Sequence, residues 1–416
     1  MSHERLNEAV AEIRAFRRRH WRLRLFALIG VLAVVAGLML HQNQALDAGT
    51  DAAGGSNPNT STTVVRADGS TLEPRCAAPK LTGGTTVAML NQIVGDLDLP
   101  YLQAADVATS GMLSDGRIIW AFGDTVRSSA VAPRMVANSV AISSDTCVSQ
   151  LLVKRPQFVR PGPVLADRAD GAVYWPTSLT VLPGRDGDNL ALFTSRIKRT
   201  GFGAFDFDYL GADAYLLQVP RGGVPRVVQH LQLTPDRSTP VNWGGASVVR
   251  DDWLYVFGTA DAFGGSRPMY VARAPLTSLA DQKTWTFWNG TEWGRDHRAA
   301  TNVLSAGDGV SQTFSADVIN GRFAIVSKCG GDLGDTVCSW TSAGPTGPWQ
   351  RSPQVRVPFR DGAALQYAPL AHPELKLRDG KLAVSYSRNT DNLVSLTNNP
   401  RLGRPAFVEV DWPVAR

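Results

Sequence analysis

The chain repeats one local pattern along most of its length: an apolar run, a Gly or Asp turn, then a second apolar run ending in an aromatic or small residue. The copies are Ala105–Thr125 about Ser114-Asp115-Gly116, Ser178–Ser195 about Gly184–Gly187, Ala246–Thr259 about Asp251-Asp252, Ala316–Ser327 about Asn320-Gly321 and Pro373–Ser387 about Asp379-Gly380. Apolar runs joined by such turns read as β-hairpins. The equivalent positions Phe122, Phe193, Phe257, Val326 and Tyr386 are about 60–70 residues apart. Further strand-like runs follow, such as Ala214–Val219, Met269–Arg273 and Ala406–Asp411. Four-stranded units at a fixed period are the signature of a β-propeller. The expected fold class is therefore all-β, a five-bladed β-propeller over residues 75–416. A β-sandwich with chance similarity among its hairpins is the competing architecture. The comparable place of every turn within its unit favours the propeller.

Ahead of the repeats the character changes. Arg14, Arg17, Arg18, Arg19, Arg22 and Arg24 precede an apolar run, Leu25–Leu40. The run is slightly shorter than the roughly 17–25 residues of a spanning helix. Trp21 and Leu23 extend it while the Arg side chains snorkel. The basic side stays in the cytoplasm by the positive-inside rule, which puts the rest outside. Residues 1–24 then form a cytoplasmic basic tail, 25–40 a transmembrane signal-anchor, and 41–74 a flexible linker rich in Ala, Gly, Ser, Thr, Asn and Asp. A cleaved signal peptide is the rival, but the stretch His41–Ala48 offers no Ala-x-Ala-like site. The expected location is the cell membrane, single-pass, with the large domain extracytoplasmic.

The formal net charge is +5, but without those six arginines the chain is close to neutral. That argues against nucleic acid as a partner of the main domain. Four cysteines fit an oxidising compartment. Cys329 and Cys338 bracket a short Gly-rich loop that a disulfide would close. Cys76 and Cys147 then pair by elimination, although sequence alone permits three pairings. No Cys-x-x-Cys or His-rich spacing points to a metal site, and no cofactor-binding loop is present. Asp186-Gly-Asp188-Asn189 and Asp206-Phe-Asp208 read as turn and strand or loop rather than calcium sites, since no EF-hand spacing follows.

The first hairpin carries the strongest chemical signal. Folded about Asp115, it sets Asp106 opposite Asp124. Facing residues of an antiparallel pair have Cβ atoms about 4.5–5.5 Å apart, and like charges there destabilise the pair. Two close carboxylates instead suit a hydrolase, because each pushes the other's pKa and one can act as acid while the other stays ionised. The plain alternative is a strand cap and a turn hydrogen bond. In a propeller the first strands start at one mouth of the channel, so residues near those starts converge there. The substrate-binding candidates are Trp175, Trp243, Asp317, His372 and Glu374, with Arg196 and Arg388 at the ends of second strands. Acids, bases and flat aromatics together are what a sugar site needs.

The segment Ala104-Ala-Asp-Val…Trp-Ala-Phe-Gly-Asp124-Thr125 resembles the opening blade of a bacterial family of five-bladed propeller glycoside hydrolases, formerly a domain of unknown function. Tyr367-Ala-Pro-Leu-Ala-His372-Pro-Glu374, followed by Leu382–Ser387, resembles the family's closing blade. The resemblance implies endo-acting cleavage of D-arabinan, the arabinofuranose polymer of arabinogalactan and lipoarabinomannan. It places the paired catalytic acids on Asp106 and Asp124 and requires no cofactor. One would be the general acid and the other nucleophile or base. A non-catalytic carbohydrate-binding propeller at the cell surface is the alternative.

Overall fold

The computed structural model describes residues 69–80, 84–155, 159–201, 206–262, 265–332, 334–357, 365–390 and 393–413. The basic tail, the apolar run 25–40 and most of the linker expected from sequence lie outside the described residues. Among the described residues no helix is long and apolar enough to cross a membrane.

The all-β expectation holds. Five larger sheets follow one another along the chain, each an antiparallel meander. The first runs outward from Thr109–Met112 through Ile118–Phe122, Ser139–Ser144 and Cys147–Leu152, with Thr71–Glu73 added at its outer edge. The second comprises Val173–Pro183, Gly187–Arg199, Phe207–Pro220 and Arg226–Gln232. The third starts at Val241–Arg250, the fourth at Ser315–Ile319 and the fifth at Leu365–His372. A small sheet of Ala104–Ala105, Thr125–Val126 and Met135–Val136 continues the first hairpin past its main ladder. The first strands of successive sheets lie against one another, and that of the fifth lies against that of the first. Residues far apart in sequence therefore share one axis.

Alternating apolar residues explain this arrangement. Ile119, Ala121, Leu190, Leu192 and Leu217 fill the space between the first and second sheets. Similar clusters sit between each later pair. The last gap, between the fifth sheet and the first, also holds helix α1, Val87–Gly95. Thr86 caps α1 by accepting from the Met89 amide at 3.1 Å. At its other end the Arg404 guanidinium donates to the carbonyls of Val94, Gly95 and Leu97. The last carbonyls of a helix have no intrahelical partner, and such a donor satisfies them. Both disulfides form as expected, Cys76–Cys147 and Cys329–Cys338, with Cα separations of 5.7 and 5.6 Å.

The fifth hairpin departs from the sequence reading. Its first strand is Leu365–His372, not the segment after Pro373. Pro373 has no N–H for the ladder. Leu375 and Leu377 alternate like strand residues because they bury against Leu90 of α1 instead. Asp379-Gly380 does turn, with Gly380 at φ 75°, inside a longer connection.

Arg196 belongs to this framework rather than to a binding surface. It is 1 % exposed and donates to Asp213, Asp236 and the Thr234 carbonyl. Trp243 is likewise core, 2 % exposed and packed edge-on against Phe287 at 5.1 Å. The structure thus places neither where the sequence reading put it: Arg196 is spent on ion pairs and a carbonyl of its own sheet region, and Trp243 on packing between sheets.

Removing one partner of a buried ion pair costs about 3–5 kcal/mol when the other charge is left wholly uncompensated. Asp213→Ala leaves Arg196 only the partly exposed Asp236 and strips His230 of its partner, so it should lower the unfolding free energy by about 1–3 kcal/mol in a denaturant melt. A loss below about 1 kcal/mol would contradict the framework role of Arg196.

Candidate active site

The first hairpin turns where the sequence reading puts it. Leu113 and Arg117 pair across Ser114-Asp115-Gly116, with Gly116 at φ 84°. The ladder runs from Met112 opposite Ile118 to Thr109 opposite Ala121, and resumes with Ala105 opposite Thr125. Asp106 and Asp124 face each other in the interval, with the Asp106 amide donating to the Asp124 carbonyl at 3.4 Å and the Gly123 amide to the Asp106 carbonyl at 3.1 Å. Val107 and Ala108 take left-handed φ values of 69° and 62°, so the chain kinks directly after Asp106. Non-glycine residues rarely do this, and such strain concentrates at functional sites. Ser387 Oγ accepts from the Val107 amide at 2.8 Å and holds the kink from the fifth sheet.

The two carboxylates have different neighbours. Tyr367, on the first strand of the fifth sheet, donates its hydroxyl to Asp106 Oδ2 at 2.7 Å. Asn389 donates to that hydroxyl at 3.3 Å. Trp175 Nε1 donates to Asp124 Oδ1 at 2.8 Å, and Arg199 forms an ion pair with the same oxygen. The Arg199 guanidinium also lies over the Trp175 ring at 5.3 Å, and Phe207 abuts that ring edge-on at 4.7 Å.

Burial, reinforced by the negative charge of Asp124, pushes the Asp106 carboxyl up to about 7. Burial also raises Asp124, but the Arg199 charge and the hydrogen bonds from Arg199 and Trp175 oppose it. The pair titrates as a unit. Its first proton rests on Asp106, because the cation sits at Asp124. Burial and the charge of Asp106 keep the Tyr367 phenol protonated, as its donor role requires.

Of the other sequence candidates, Trp175 joins this group. His372, Glu374 and Asp317 do not. Ser110, four residues beyond Asp106 on the first strand, contacts His372 Nδ1 at 2.5 Å and also binds Glu374. His372 Nε2 reaches Ser385 Oγ at 2.7 Å, and His372 is fully buried. These residues lie at the far end of Leu365–His372 from Tyr367, on the order of 10 Å along the strand. Burial and then the charge of Glu374 push Asp317 up to about 7. Burial would raise Glu374, but hydrogen bonds from His372 and Ser110 outweigh it and hold that carboxyl low. The expectation that all of these precede their first strands fails: His372 ends the fifth first strand, Glu374 follows it, and Asp317 lies inside the fourth. Arg388 braces the backbone, donating to the Arg404 carbonyl at 2.8 Å and the Arg401 carbonyl at 3.3 Å.

Sequence reasoning missed Arg199, Tyr367 and Asn389 as site residues. Arg199 was hidden because the second strand of the second sheet extends through Arg199, four residues past Ser195. Among the described residues, no group of His, Cys, Asp and Glu is arranged to hold a metal ion.

A family model described as a domain of unknown function, DUF5005, matches residues 100–412. No curated protein sequence matches the chain. A Bacteroides ovatus protein provisionally named a hydrolase is similar in fold, with a TM-score of 0.59 at 14 % identity, over 82 % of this chain and 93 % of that one. The RS223 β-xylosidase aligns with a TM-score of 0.44 at 12 % identity, over 75 % and 95 % of the two chains. An α-L-arabinofuranosidase of Podospora anserina, solved with cellotriose, aligns with a TM-score of 0.42 at 11 % identity, over 76 % and 93 %.

An Asp whose folded pKa exceeds its unfolded value stabilises the fold fully below the unfolded pKa and loses that contribution as pH rises through the folded one. For Asp106 the window runs from 3.8 to about 7. Asp106→Asn should therefore gain stability over the wild type between pH 4 and pH 8, by an amount on the order of a few kcal/mol. Thermal melts at the two pH values test this, and a gap that does not widen towards pH 8 would contradict the raised carboxyl.

Proposed function

The chain belongs to the DUF5005 family, and we propose that it is a glycoside hydrolase whose five larger sheets are the blades of a propeller and whose catalytic pair is Asp106 and Asp124. The observation that carries this reading is the facing pair itself, one carboxyl bound by the neutral Tyr367 phenol and the other by the Arg199 cation and the Trp175 indole. Paired carboxyl groups in unlike environments are the means by which glycosidases divide acid and nucleophile or base roles.

Asp106 is the general acid and protonates the glycosidic oxygen as the bond to the anomeric carbon breaks. Tyr367 orients it. Asp124, kept ionised by Arg199 and Trp175, faces the anomeric carbon. Direct cross-strand pairing favours the short carboxyl separation of about 5–5.5 Å that goes with retention of configuration. Asp124 then forms the glycosyl-enzyme bond, the alcohol leaves with the proton of Asp106, and Asp106 takes a proton from the water that releases the sugar. Trp175 and Phe207 offer ring faces and edges for the saccharide.

The proposed substrate is arabinan, cut at internal arabinofuranosyl linkages of a cell-envelope polymer such as arabinogalactan or lipoarabinomannan. The resemblance of the first and last sheets' sequences to endo-D-arabinanases supports this class. The basic cluster and apolar run at residues 14–40 support attachment to the membrane, with the enzyme on the outer side.

The test incubates the full chain with purified arabinogalactan and resolves the released oligosaccharides. Wild type should release a ladder of arabinose oligomers, and Asp106→Asn and Asp124→Asn should each reduce release by about 10²–10⁴-fold. Anomer-resolved NMR of the first products should show retention. Binding without release by the wild type would instead make the chain a polysaccharide-binding module.

A further inference from the structure

Among the described residues four arginines are buried: Arg117, Arg127, Arg196 and Arg404. Three are fully engaged. Arg117 pairs with Asp115 and reaches the carbonyl of Gly223. Arg196 holds two carboxylates, and Arg404 caps the end of α1. Arg127 differs. It is 2 % exposed, and its Nε and Nη1 have no hydrogen-bond partner. Its one side-chain contact of note is the Tyr101 ring, 5.3 Å from the guanidinium.

The residue opposite it is also cationic. The small sheet pairs Thr125 with Val136 and Val126 with Met135, and the Arg127 amide continues the ladder to the Arg134 carbonyl at 2.9 Å. Facing residues of an antiparallel pair project to the same side. Arg134 Nη2 donates to the Thr397 carbonyl at 2.6 Å, but its Nη1 is buried without a partner. Two guanidinium groups thus start from one rung, with three buried nitrogens lacking acceptors and no carboxylate paired to either among the described residues.

Nothing among the described residues makes this favourable. Like charges directly opposite destabilise a ladder. A buried, uncompensated charge costs several kcal/mol, and each orphaned donor adds to that. Burial lowers Arg127 to about 10, the direction expected of a cation without a counter-charge. The missing element is negative and must accept several N–H bonds at once. Guanidinium forks match oxygen pairs of phosphate, sulfate and carboxylate groups.

We infer that Arg127 and Arg134 form a binding site for an oxoanion, a phosphate, sulfate or carboxylate group received between their two guanidinium groups. The site is separate from the carboxylate pair, and the inference stands whether or not that pair is catalytic. Arg127 is nevertheless only three residues beyond Asp124 on the same strand, roughly 10 Å of extended chain. An anion there ties Thr125–Val126 to Met135–Val136 and so stiffens the segment that carries Asp124.

The experiment follows thermal unfolding of the full chain in inorganic phosphate, sulfate or acetate against sodium chloride at equal ionic strength, for wild type, Arg127→Met and Arg134→Met. Phosphate should raise the wild-type Tm by several degrees in a saturable way. Arg127→Met should remove that response and, in chloride, should melt no lower than the wild type because it deletes an unpaired buried charge. The ranking of phosphate, sulfate and acetate assigns the anion. A wild-type Tm indifferent to all three anions would overturn the site, and so would a phosphate response that survives in Arg127→Met. An Arg127→Met protein that melts well below wild type in chloride would also overturn it, by making Arg127 a self-sufficient structural residue.

Discussion

Setting Asp106 opposite Asp124 is unfavourable for the hairpin that does it, and much of the surrounding structure is arranged to sustain that placement. Two like charges meet on adjacent strands in a half-buried site. Tyr367, Asn389 and Ser387 reach them from the last sheet, and Trp175 and Arg199 from the second. These supports come from segments tens to hundreds of residues away in sequence. They meet only because the first strands of the sheets lie side by side and the last returns to the first. The closed arrangement is thus what allows a repulsive pair to persist.

The supports also make the pair asymmetric. A cation and an indole N–H are aimed at Asp124, whereas Asp106 receives a neutral phenol. Repulsion that would otherwise be shared is resolved by leaving the proton on Asp106. A second group of carboxyls, Asp317 with Glu374, is organised differently, with Glu374 bound to Ser110 and His372.

Local features were legible in the sequence. The turn at Asp115 sets the count across the hairpin, and that count alone brings Asp106 to Asp124. The buried aromatic positions of the second strands follow from spacing in the same way, whereas the disulfide pairing, left with three possibilities in the sequence, is settled by the fold. Features decided by packing between sheets were not legible. Trp243 reads as a sugar platform until Phe287 is seen to cover it. Arg196 and Arg199 look equivalent in sequence, yet one meets Asp213 and the other Asp124, according to where each lies along one long strand. The alternation of Leu375 and Leu377 mimics a strand because α1, an element without repeats to announce it, buries the same residues. The unpaired state of Arg127 cannot be read from sequence, since it depends on what fails to approach.

The account rests on Asp106 holding a proton near neutrality because Asp124 faces it in a half-buried site. Carbon-13 NMR of aspartate-labelled protein measures that directly, with the Asp106 carboxyl assigned by its loss in Asp106→Asn. The account predicts a titration of Asp106 centred at about 7 that moves to lower pH in Asp124→Asn. A carboxyl titrating at the ordinary Asp value of about 4, unmoved by Asp124→Asn, would contradict it.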